Sequence, residues 1–425
     1  MTFTVTFEAA ASGPAGTPVA GAVGAGVVGV VGGKGASLIE LARARVAVPP
    51  GFVVTVEAFA AAMAAVDPSG AHRAGMEALP AADLAGIAAA AARFRALITG
   101  AALPADVAAA VESGYAALGG PADAGLAGAP AVAVRSSATV EDSAEASFAG
   151  LQDTYLGVSG ASSVLGYVRR CWASLYNDES VAYRRRLGMP ESGIAMAVVV
   201  QRMVAPRAAG VMFTRSPVTG DRSVVAIEGV WGLGSALVSG DVTPDSWVIS
   251  KITGEVTTRR VSAKVKIHRY LPNERVAAPP PSPASPGRPG VPAADLVSVT
   301  GTPPELRDAP CLTDDEIRAL AAVARRVEAH YGVPQDIEWA VLDAPFAPAA
   351  AGAAGEAGEA GEAGAAAGAE SPTGDSAPSP DSAEARIVLL QSRPETVWAA
   401  REARPAGAPR PRAADHVLAL FGKPQ

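Results

Sequence analysis

The sequence predicts an α+β protein in which helices and mixed sheets form two groups along the chain. Three observations predict this class. Ala-rich segments with larger apolar residues at helical spacing fill residues 57–118. Short apolar runs separated by turn residues fill residues 195–250 and predict strands. A helix with clear start and stop signals at residues 313–332 precedes two further strands, at 336–341 and 386–393.

The composition limits the size and the class of the protein. A chain of 425 residues is long enough for two to three domains of about 150 residues each. The net charge of −7 argues against a broad nucleic-acid-binding face. Two cysteines, Cys171 and Cys311, exclude a disulfide framework, and four histidines without ligand spacing disfavour zinc. No strongly apolar stretch reaches ~20 residues, and the first basic residue, Lys34, comes too late for a signal peptide. We therefore expect a cytoplasmic protein without membrane association.

The first part of the chain predicts mainly helices and short strands. An Ala/Gly-rich excursion is expected at residues 9–26. The predicted elements that follow, in chain order, are a helix at 36–41, several helices within 57–118, a strand at 131–134 running into Arg135, a helix at 164–186 with a break near Asn177, and strands at 195–204, 208–214, 223–229 and 246–250.

The second part contains the best-marked helix of the chain. Thr313 and Glu316 form a capping box at its start, and Gly332 marks its end. The strands at 336–341 and 386–393 follow. Two low-complexity insertions, at 272–310 and 343–384, are expected to form no packed element. The predicted organisation is an N-terminal unit at 1–195, a C-terminal unit at 196–400 and a tail at 401–425.

The Gly-Gly-Lys-Gly segment at residues 32–35 is the first candidate site. Lys34 is the only lysine among the first 250 residues. Glycines let the backbone approach a ligand closely, and the amides at the start of a following helix attract anions. The segment does not match the P-loop pattern. A Gly-rich turn before a helix explains the same residues without a ligand.

The second candidate site begins at Arg135, where a strand meets small hydroxyl residues. The guanidinium can bind two phosphate oxygens at once. Ser136, Ser137 and Thr139 can add hydroxyl donors. A helix-capping cluster followed by a solvated acidic turn is the alternative interpretation.

The third candidate site lies on the last two strands. The alternation places Asp336 and Glu338 on one face of their strand, and Gln391 and Arg393 on one face of theirs. A carboxylate and an amide oxygen on neighbouring strands are hard ligands suited to Mg²⁺. A polar ladder on a sheet surface is the alternative interpretation.

These segments occur together in one order, and the series resembles a known family. It is similar to the N-terminal nucleotide-binding domain of phosphoenolpyruvate synthase, pyruvate phosphate dikinase and rifamycin phosphotransferase, over about residues 32–398 outside the two insertions. The segments are Gly-Gly-Lys-Gly-Ala-Ser-Leu (32–38), Val-Arg-Ser-Ser-Ala-Thr (134–139), Ser-Phe-Ala-Gly-Leu-Gln-Asp-Thr-Tyr (147–155), Val-Met-Phe-Thr-Arg-Ser-Pro-Val-Thr-Gly (211–220), Gln-Asp-Ile-Glu-Trp (335–339) and Gln-Ser-Arg-Pro (391–394).

The resemblance implies an ATP-grasp-like fold, in which two α+β lobes clasp ATP and Mg²⁺. It implies roles residue by residue. The catalytic cations are Lys34, Arg135 and Arg393, which also bind the nucleotide; the other nucleotide-binding residues are Gly150, Thr154, Gln201 and Glu228; and the metal-binding residues, which also contact the nucleotide, are Glu338 and Gln391.

The resemblance also implies a reaction. Full-length members carry the phosphoryl group on a histidine in a Gly-rich Thr-Ser-His context, which none of the four histidines here has. The implied function is a kinase domain that phosphorylates a histidine on a separate partner chain, with ATP going to AMP and phosphate. His330 is expected to play a structural part at a helix end, and His72, His268 and His416 are expected to lack orienting neighbours. Two alternatives stay open: a non-catalytic ATP-binding regulatory or scaffold module, and the ATP half of an antibiotic phosphotransferase.

Overall fold

The computed structural model describes residues 2–8, 25–80, 82–119, 129–139, 142–143, 146–147, 153–271, 296–346, 379, 382–395 and 398. Helices predominate in the first part of these residues. Its helices are α1 (Ala25–Arg43), α2 (Val56–Val66), α3 (Ala71–Ala78), α4 (Leu84–Gly100), α5 (Ala105–Ala117), α6 (Ala161–Ser174) and α7 (Asp178–Arg186). Its strands are β1 (Thr4–Thr6), β2 (Gly51–Val54), β3 (Ala131–Ala138), β4 (Asp142–Ser143), β5 (Ala146–Ser147), β6 (Thr154–Ser159) and β7 (Met196–Arg202).

Strands predominate in the remaining described residues. The described residues as a whole contain both helices and sheets, as the predicted α+β class requires. The strands are β8 (Ala208–Phe213), β9 (Val224–Trp231), β10 (Asp245–Ser250), β11 (Val256–Arg260), β12 (Lys266–Tyr270), β13 (Val297–Gly301), β14 (Gln335–Val341) and β15 (Ile387–Pro394). The helices are α8 (Ser235–Val238), α9 (Pro304–Arg307) and α10 (Asp314–Tyr331).

The first sheet has five antiparallel strands in the order β1-β2-β7-β3-β6. Its two faces pack against different helices because strand side chains alternate. One face, with Phe52, Val134 and Val198, packs in a core with α2, α4, α5 and α6. The opposite face, with Val53 and Val199, packs against α1. The helix α1 therefore covers the face on which Arg135 also lies.

The second sheet has six antiparallel strands in the order β11-β10-β9-β8-β14-β15. Trp247, Ile337 and Trp339 are buried on the face that packs against α10. That helix begins with the predicted capping box of Thr313 and Glu316 and ends at Gly332 in the left-handed conformation. The opposite face of this sheet carries the polar residues of the third candidate site.

The structure corrects the predicted boundary between the two units. The predicted division after residue 195 falls just before β7, which pairs with both β2 and β3 inside the first sheet. The strands on either side of β7 hold it there, because its apolar side chains fill both faces of that sheet. The second sheet instead begins with β8.

The predicted low-complexity segments are also too long. Residues 272–295 and 347–378 lie outside the described residues, but β13 and α9 form within the predicted 272–310 insertion. Strand β13 forms because it pairs with β12 and buries Leu296 and Val297. Residues 383–386 form a short 3-10 turn, and Glu384 is ion-paired with Arg326. At the other end, α1 begins at residue 25, inside the excursion predicted at 9–26.

Strand β3 is longer than predicted. It continues past Arg135 through Ala138, because residues 136–138 pair with β7. Arg135 therefore lies within the sheet and not at a strand end.

Among the described residues, no single helix is long and apolar enough to cross a membrane. Only the bent pair α4 and α5 reaches the length and apolar composition of a membrane span when the two helices are taken together.

Candidate functional site

Arg135 joins the two sheets. It lies on β3, between β7 and β6, and its side chain is only 10% exposed. Its Nη2 donates to Glu338 Oε2 at 2.7 Å and to Gln391 Oε1 at 2.9 Å, and its Nη1 donates to the carbonyl of Leu390 at 3.0 Å. Its Nε is buried without a hydrogen-bond partner among the described residues. One guanidinium thus holds a carboxylate, an amide oxygen and a backbone oxygen of the second sheet.

The register of β14 and β15 brings the two acceptors together. Glu338 is paired directly with Gln391, and a bulge follows, so Trp339 is paired with Leu389. The bulge leaves Leu390 unpaired in this register, and its carbonyl accepts from Arg135. The predicted pairing of a carboxylate and an amide on neighbouring strands therefore matches the fold.

A row of paired residues on this face of the second sheet connects Glu228 with Glu338. Glu228 on β9 is paired with Val211 on β8, and Val211 is paired with Glu338. Paired residues on neighbouring strands share a face, so Glu228 lies on the same face as Glu338, with one strand between them. Burial raises the pKa of Glu228.

The Gly-Gly-Lys-Gly segment is docked against β3. Helix α1 is interrupted at Gly32, which has φ 69° and ψ 173°. A Cβ there would lie 2.1 Å from the carbonyl oxygen of Ser137, so only glycine fits this close approach. The Ser137 hydroxyl accepts from the amide of Gly35 at 3.1 Å and donates to the carbonyl of Val31 at 2.9 Å. The interruption therefore fixes Lys34 beside the strand that carries Arg135.

Helix α1 is also joined to β15. The Ser37 hydroxyl accepts from the amide of Ser392 at 3.2 Å and donates to the carbonyl of the same residue. Ser392 lies between Gln391 and Arg393. The segment that carries Lys34 is therefore held to strands of both sheets.

The charges around Glu338 favour its ionised form. Burial by itself acts to raise the pKa of Glu338, but Arg135, Lys34 and Arg393 outweigh it and hold that pKa below its usual range. Arg393 is also bound to Asp336, through Nε at 2.8 Å and Nη2 at 2.7 Å. Burial raises the pKa of Asp336, and Arg393 opposes that rise. We call Lys34, Arg135, Glu338, Gln391 and Arg393 the inter-sheet site.

Strand pairing locates two of the other predicted nucleotide-binding residues, Thr154 and Gln201, relative to Arg135. Thr154 is paired with Arg135 across β6 and β3. Gln201 is paired with Ala133, which lies two residues before Arg135 on β3, so Gln201 is on the same face of the sheet as Arg135. Its side chain is buried, and its Nε2 lies 3.4 Å from the carbonyl of Pro49. Gly150 lies outside the described residues.

Three hydroxyl groups predicted as phosphate donors are used within the protein. Ser136 donates to the carbonyl of Asp153 at 3.2 Å, and Thr139 donates to the carbonyl of Ala195 at 3.3 Å. Ser137 binds both partners in α1 that are described above. These groups hold the strand and the Gly-rich segment in place, and the longer β3 puts Ser136 and Ser137 inside the sheet.

Two residues of the site region, Ser37 and Asp153, were not identified as candidates from the sequence. Ser37 belongs to the quoted Gly-Gly-Lys-Gly-Ala-Ser segment, and Asp153 to the quoted Gln-Asp-Thr-Tyr segment, so position within a motif was the available signal. Asp153 accepts from the hydroxyl of Tyr155 at 2.8 Å, and burial raises its pKa. Asp336 was placed on the face of Glu338, but its ion pair with Arg393 depends on the register.

The inter-sheet site is suited to a hard divalent cation. Within the described ranges, no group of three or more His, Cys, Asp or Glu side chains is placed to hold a metal ion. Glu338 and Gln391 could supply two oxygen ligands, and both accept hydrogen bonds from one cationic group, Arg135. Mg²⁺ is commonly bound through one or two protein ligands together with water and phosphate oxygens. The donor set therefore fits Mg²⁺ bound with a nucleotide.

Each of the three described histidines is engaged elsewhere. His72 stacks on Phe94, with ring centroids 5.6 Å apart. His330 lies 2.7 Å from Glu40, from Nε2 to Oε1. The expectation that His268 lacks an orienting neighbour is wrong, because its Nδ1 lies 2.9 Å from the hydroxyl of Ser235. His416 lies outside the described residues.

Comparison with known proteins gives a consistent result. A family model described as pyruvate phosphate dikinase, AMP/ATP-binding domain, matches residues 28–413. A probable phosphoenolpyruvate synthase from Methanothermobacter thermautotrophicus is 40% identical over 319 residues, which cover 74% of this chain and 42% of that protein. A phosphoenolpyruvate synthase from Aeropyrum pernix is 37% identical over 382 residues, or 88% of this chain and 41% of that protein.

A second group of relatives consists of rifampicin phosphotransferases. A rifampicin phosphotransferase from a Streptomyces species is 43% identical over 320 residues, which cover 74% of this chain and 33% of that protein. The chain thus spans less than half the length of each of these three relatives.

Proposed function

Because this chain belongs to the family of the pyruvate phosphate dikinase AMP/ATP-binding domain, we propose that it binds Mg²⁺ and ATP between its two sheets, in an ATP-grasp-like arrangement. The single observation that carries the proposal is the contact of Arg135 with Glu338 and Gln391. That contact gathers the cation and the oxygen ligands that a metal-bound polyphosphate requires.

We assign the two lobes by the two sheets. The first lobe comprises residues 2–202 and the second residues 208–395, so the lobe boundary lies after β7. The short connection at residues 203–207 leads directly from one sheet to the other, and the inter-sheet site lies where the lobes meet.

Each polar residue of the site has a proposed role. Lys34, Arg135 and Arg393 bind phosphate oxygens, and Glu338 and Gln391 hold Mg²⁺, which neutralises phosphate charge when bound. Glu338 is ionised at neutral pH because its cationic neighbours lower its pKa, so it can serve as a metal ligand. The further nucleotide contacts are Gly150, Thr154, Gln201 and Glu228.

The proposed reaction transfers the β-phosphoryl group of ATP to a histidine nitrogen with AMP as the leaving group, and water takes the γ-phosphoryl group, which leaves as phosphate. The contribution of this chain is electrostatic, since fixed cations stabilise the negative charge of the transferring group. The acceptor is a histidine of a phosphohistidine domain, supplied by a separate partner. His72, His268 and His330 are not proposed as acceptors, because each already contacts a neighbour, which is Phe94, Ser235 and Glu40 respectively.

ATP binding tests the proposal directly. Truncation of a phosphate-binding cation in a desolvated site costs about 2–4 kcal/mol, so Lys34→Ala and Arg135→Ala should each weaken Mg·ATP binding roughly 30- to 700-fold by calorimetry. The matched controls are Lys266→Ala and Arg326→Ala, which remove exposed ion pairs elsewhere. Equal ATP affinity in all four variants would disprove the site assignment.

Product analysis separates this reaction from a non-catalytic ATP-binding module. The purified chain with Mg·ATP should form little AMP and no acid-labile phosphohistidine, and a protein with the Gly-rich Thr-Ser-His segment should start both. Saturating ATP binding without AMP formation in that mixture would favour a regulatory or scaffold module. Robust AMP release by the chain alone, abolished by one His→Ala substitution, would contradict the proposed acceptor.

The similarity to rifampicin phosphotransferase supports a second candidate, the ATP half of an antibiotic phosphotransferase. The two candidates share the nucleotide reaction and differ in the final acceptor. The phosphorylated partner can therefore be incubated with pyruvate or with a rifamycin. The acceptor that becomes phosphorylated decides between the candidates.

A further inference from the structure

We propose that Arg135 is the resident cation of Glu338 and Gln391 while the nucleotide is absent, and that it must release them before a metal ion can bind there. This inference rests on the proposed function and deepens it. It predicts that the metal enters together with ATP and does not bind beforehand.

The first argument is competition for the same oxygen atoms. Glu338 Oε2 and Gln391 Oε1 are the proposed metal ligands, and both lie within 3 Å of Arg135 Nη2. Mg²⁺ binds its ligands at about 2.1 Å. A divalent ion on these oxygens would therefore lie next to the positive guanidinium, and the two cations would repel each other strongly in this largely buried position.

The second argument is that the polyphosphate offers Arg135 an alternative partner. Guanidinium groups bind phosphate oxygens in the same bidentate, charge-assisted manner as carboxylates. The Nε of Arg135 has no hydrogen-bond partner among the described residues, so one donor is available for such an exchange. Arrival of Mg·ATP can then replace the bond from Arg135 to Glu338 by a bond from Arg135 to phosphate.

The third argument is that the exchange joins metal binding to the arrangement of the lobes. Arg135 lies on the first sheet, whereas all three of its acceptors lie on the second. Within this inference, the arginine holds the sheets together before the nucleotide binds, and the nucleotide takes over that link.

Manganese binding without nucleotide tests the inference, because Mn²⁺ replaces Mg²⁺ and free Mn²⁺ gives an electron paramagnetic resonance signal. The full chain should bind Mn²⁺ weakly. Arg135→Met should bind one Mn²⁺ at least about tenfold more tightly, since removal of the arginine frees the oxygens of Glu338 and Gln391 and takes away one of the three cations that act on Glu338. Arg135→Gln also removes the charge and carries the same test if the methionine variant does not fold.

Two controls show where the metal binds. Arg135→Met combined with Glu338→Gln should lose the gain in affinity. Arg207→Met removes an arginine from another carboxylate, Glu316, at 2.6 Å, and should show no gain. Circular dichroism and melting curves verify that each variant is folded.

The outcomes distinguish this inference from the proposed function. Equal Mn²⁺ affinity in the wild type and in both charge-removing variants, with normal binding of Mg·ATP by the wild type, would overturn only the resident-cation inference. A gain that persists in the double variant would overturn it as well. Failure of the wild type to bind Mg·ATP would overturn the proposed function.

Discussion

Gly32 is the residue on which the position of Lys34 depends. Its φ of 69° interrupts α1, and its missing side chain lets the segment approach Ser137. With ψ 173°, Gly32 occupies a region that is essentially confined to glycine and costs another residue about 1–3 kcal/mol, and the clash with a backbone carbonyl adds to that cost. Lys34 can therefore face the inter-sheet site only while residue 32 is glycine.

We predict that Gly32→Ala lowers the free energy of unfolding by roughly 2–4 kcal/mol and also weakens Mg·ATP binding, because it displaces Lys34. The matched control is Gly29→Ala in the same helix, where a Cβ meets nothing within 4 Å. That variant should be neutral or stabilised by up to about 1 kcal/mol. Chemical denaturation and calorimetry measure both effects, and equal results for the two variants would contradict the role of Gly32.

The sequence indicated which residues belong to the inter-sheet site, but it could not predict that Arg135 contacts Glu338 and Gln391. The motifs indicated Arg135, Glu338 and Gln391, because guanidinium, carboxylate and amide groups have known chemistry. The contact among them depends on the bulge after Glu338 and on the packing of one sheet against the other. Ser137 shows the same limit, since its hydroxyl binds α1 and was predicted to bind phosphate.

At the scale of elements, His268 connects strand β12 to helix α8. Its Nδ1 lies 2.9 Å from the hydroxyl of Ser235, and its Nε2 lies 3.6 Å from a carboxylate oxygen of Asp241. Burial lowers the pKa of His268 below its usual value of 6.5, and Lys266 contributes to the decrease, whereas Asp241 opposes it. The folded chain therefore favours the neutral imidazole.

This lowered pKa predicts a pH dependence of stability. Below pH 6.5 the unfolded chain binds a proton at His268, whereas the folded chain binds it only near the lowered pKa. The free energy of unfolding therefore falls as the pH is lowered from 7 to that lowered pKa. Denaturation at several pH values should show this fall in the wild type and a smaller fall in His268→Gln. His72→Gln controls for the loss of a histidine as such, and an equal pH slope in both variants would contradict the prediction.

Elements with local signals could be predicted, and elements that depend on a distant partner could not. The helix α10 has its capping box and terminal glycine in the sequence itself, and both predictions are confirmed. Strand β13 lies beside a proline-rich segment, and only its pairing with β12 makes it a strand. The central place of β7 is likewise decided by its neighbours β2 and β3.

At the scale of the whole molecule, the long low-complexity segments leave and rejoin the fold at closely spaced points. The amide of Leu271 donates to the carbonyl of Leu296 at 3.0 Å, across residues 272–295. The amide of Phe346 donates to the carbonyl of Ala385 at 2.7 Å, across the second segment. Short connections can therefore join these ends without displacing the strands.

We predict that the chain tolerates replacement of residues 272–295, or of residues 347–381, by a short Gly/Ser linker. Loop-closure entropy changes by only about 0.6 kcal/mol for each doubling of loop length, so each replacement should leave the free energy of unfolding unchanged or raise it by about 1–2 kcal/mol. Mg·ATP affinity should also be unchanged, because the inter-sheet site is formed by residues outside both replaced segments. Denaturation and calorimetry on both variants measure these quantities.

The matched control extends the first deletion to residue 301 and so removes β13. Leu296 and Val297 are then lost from the core, and the buried Ile267 of β12 is uncovered. Because burial of each such side chain contributes about 1.5–3 kcal/mol, this variant should lose roughly 3–6 kcal/mol of stability. The contrast between the two deletions tests where the fold resumes after the proline-rich segment. Equal stability of both variants would show that β13 contributes little, whereas a large loss in the shorter deletion would show that residues 272–295 take part in the fold.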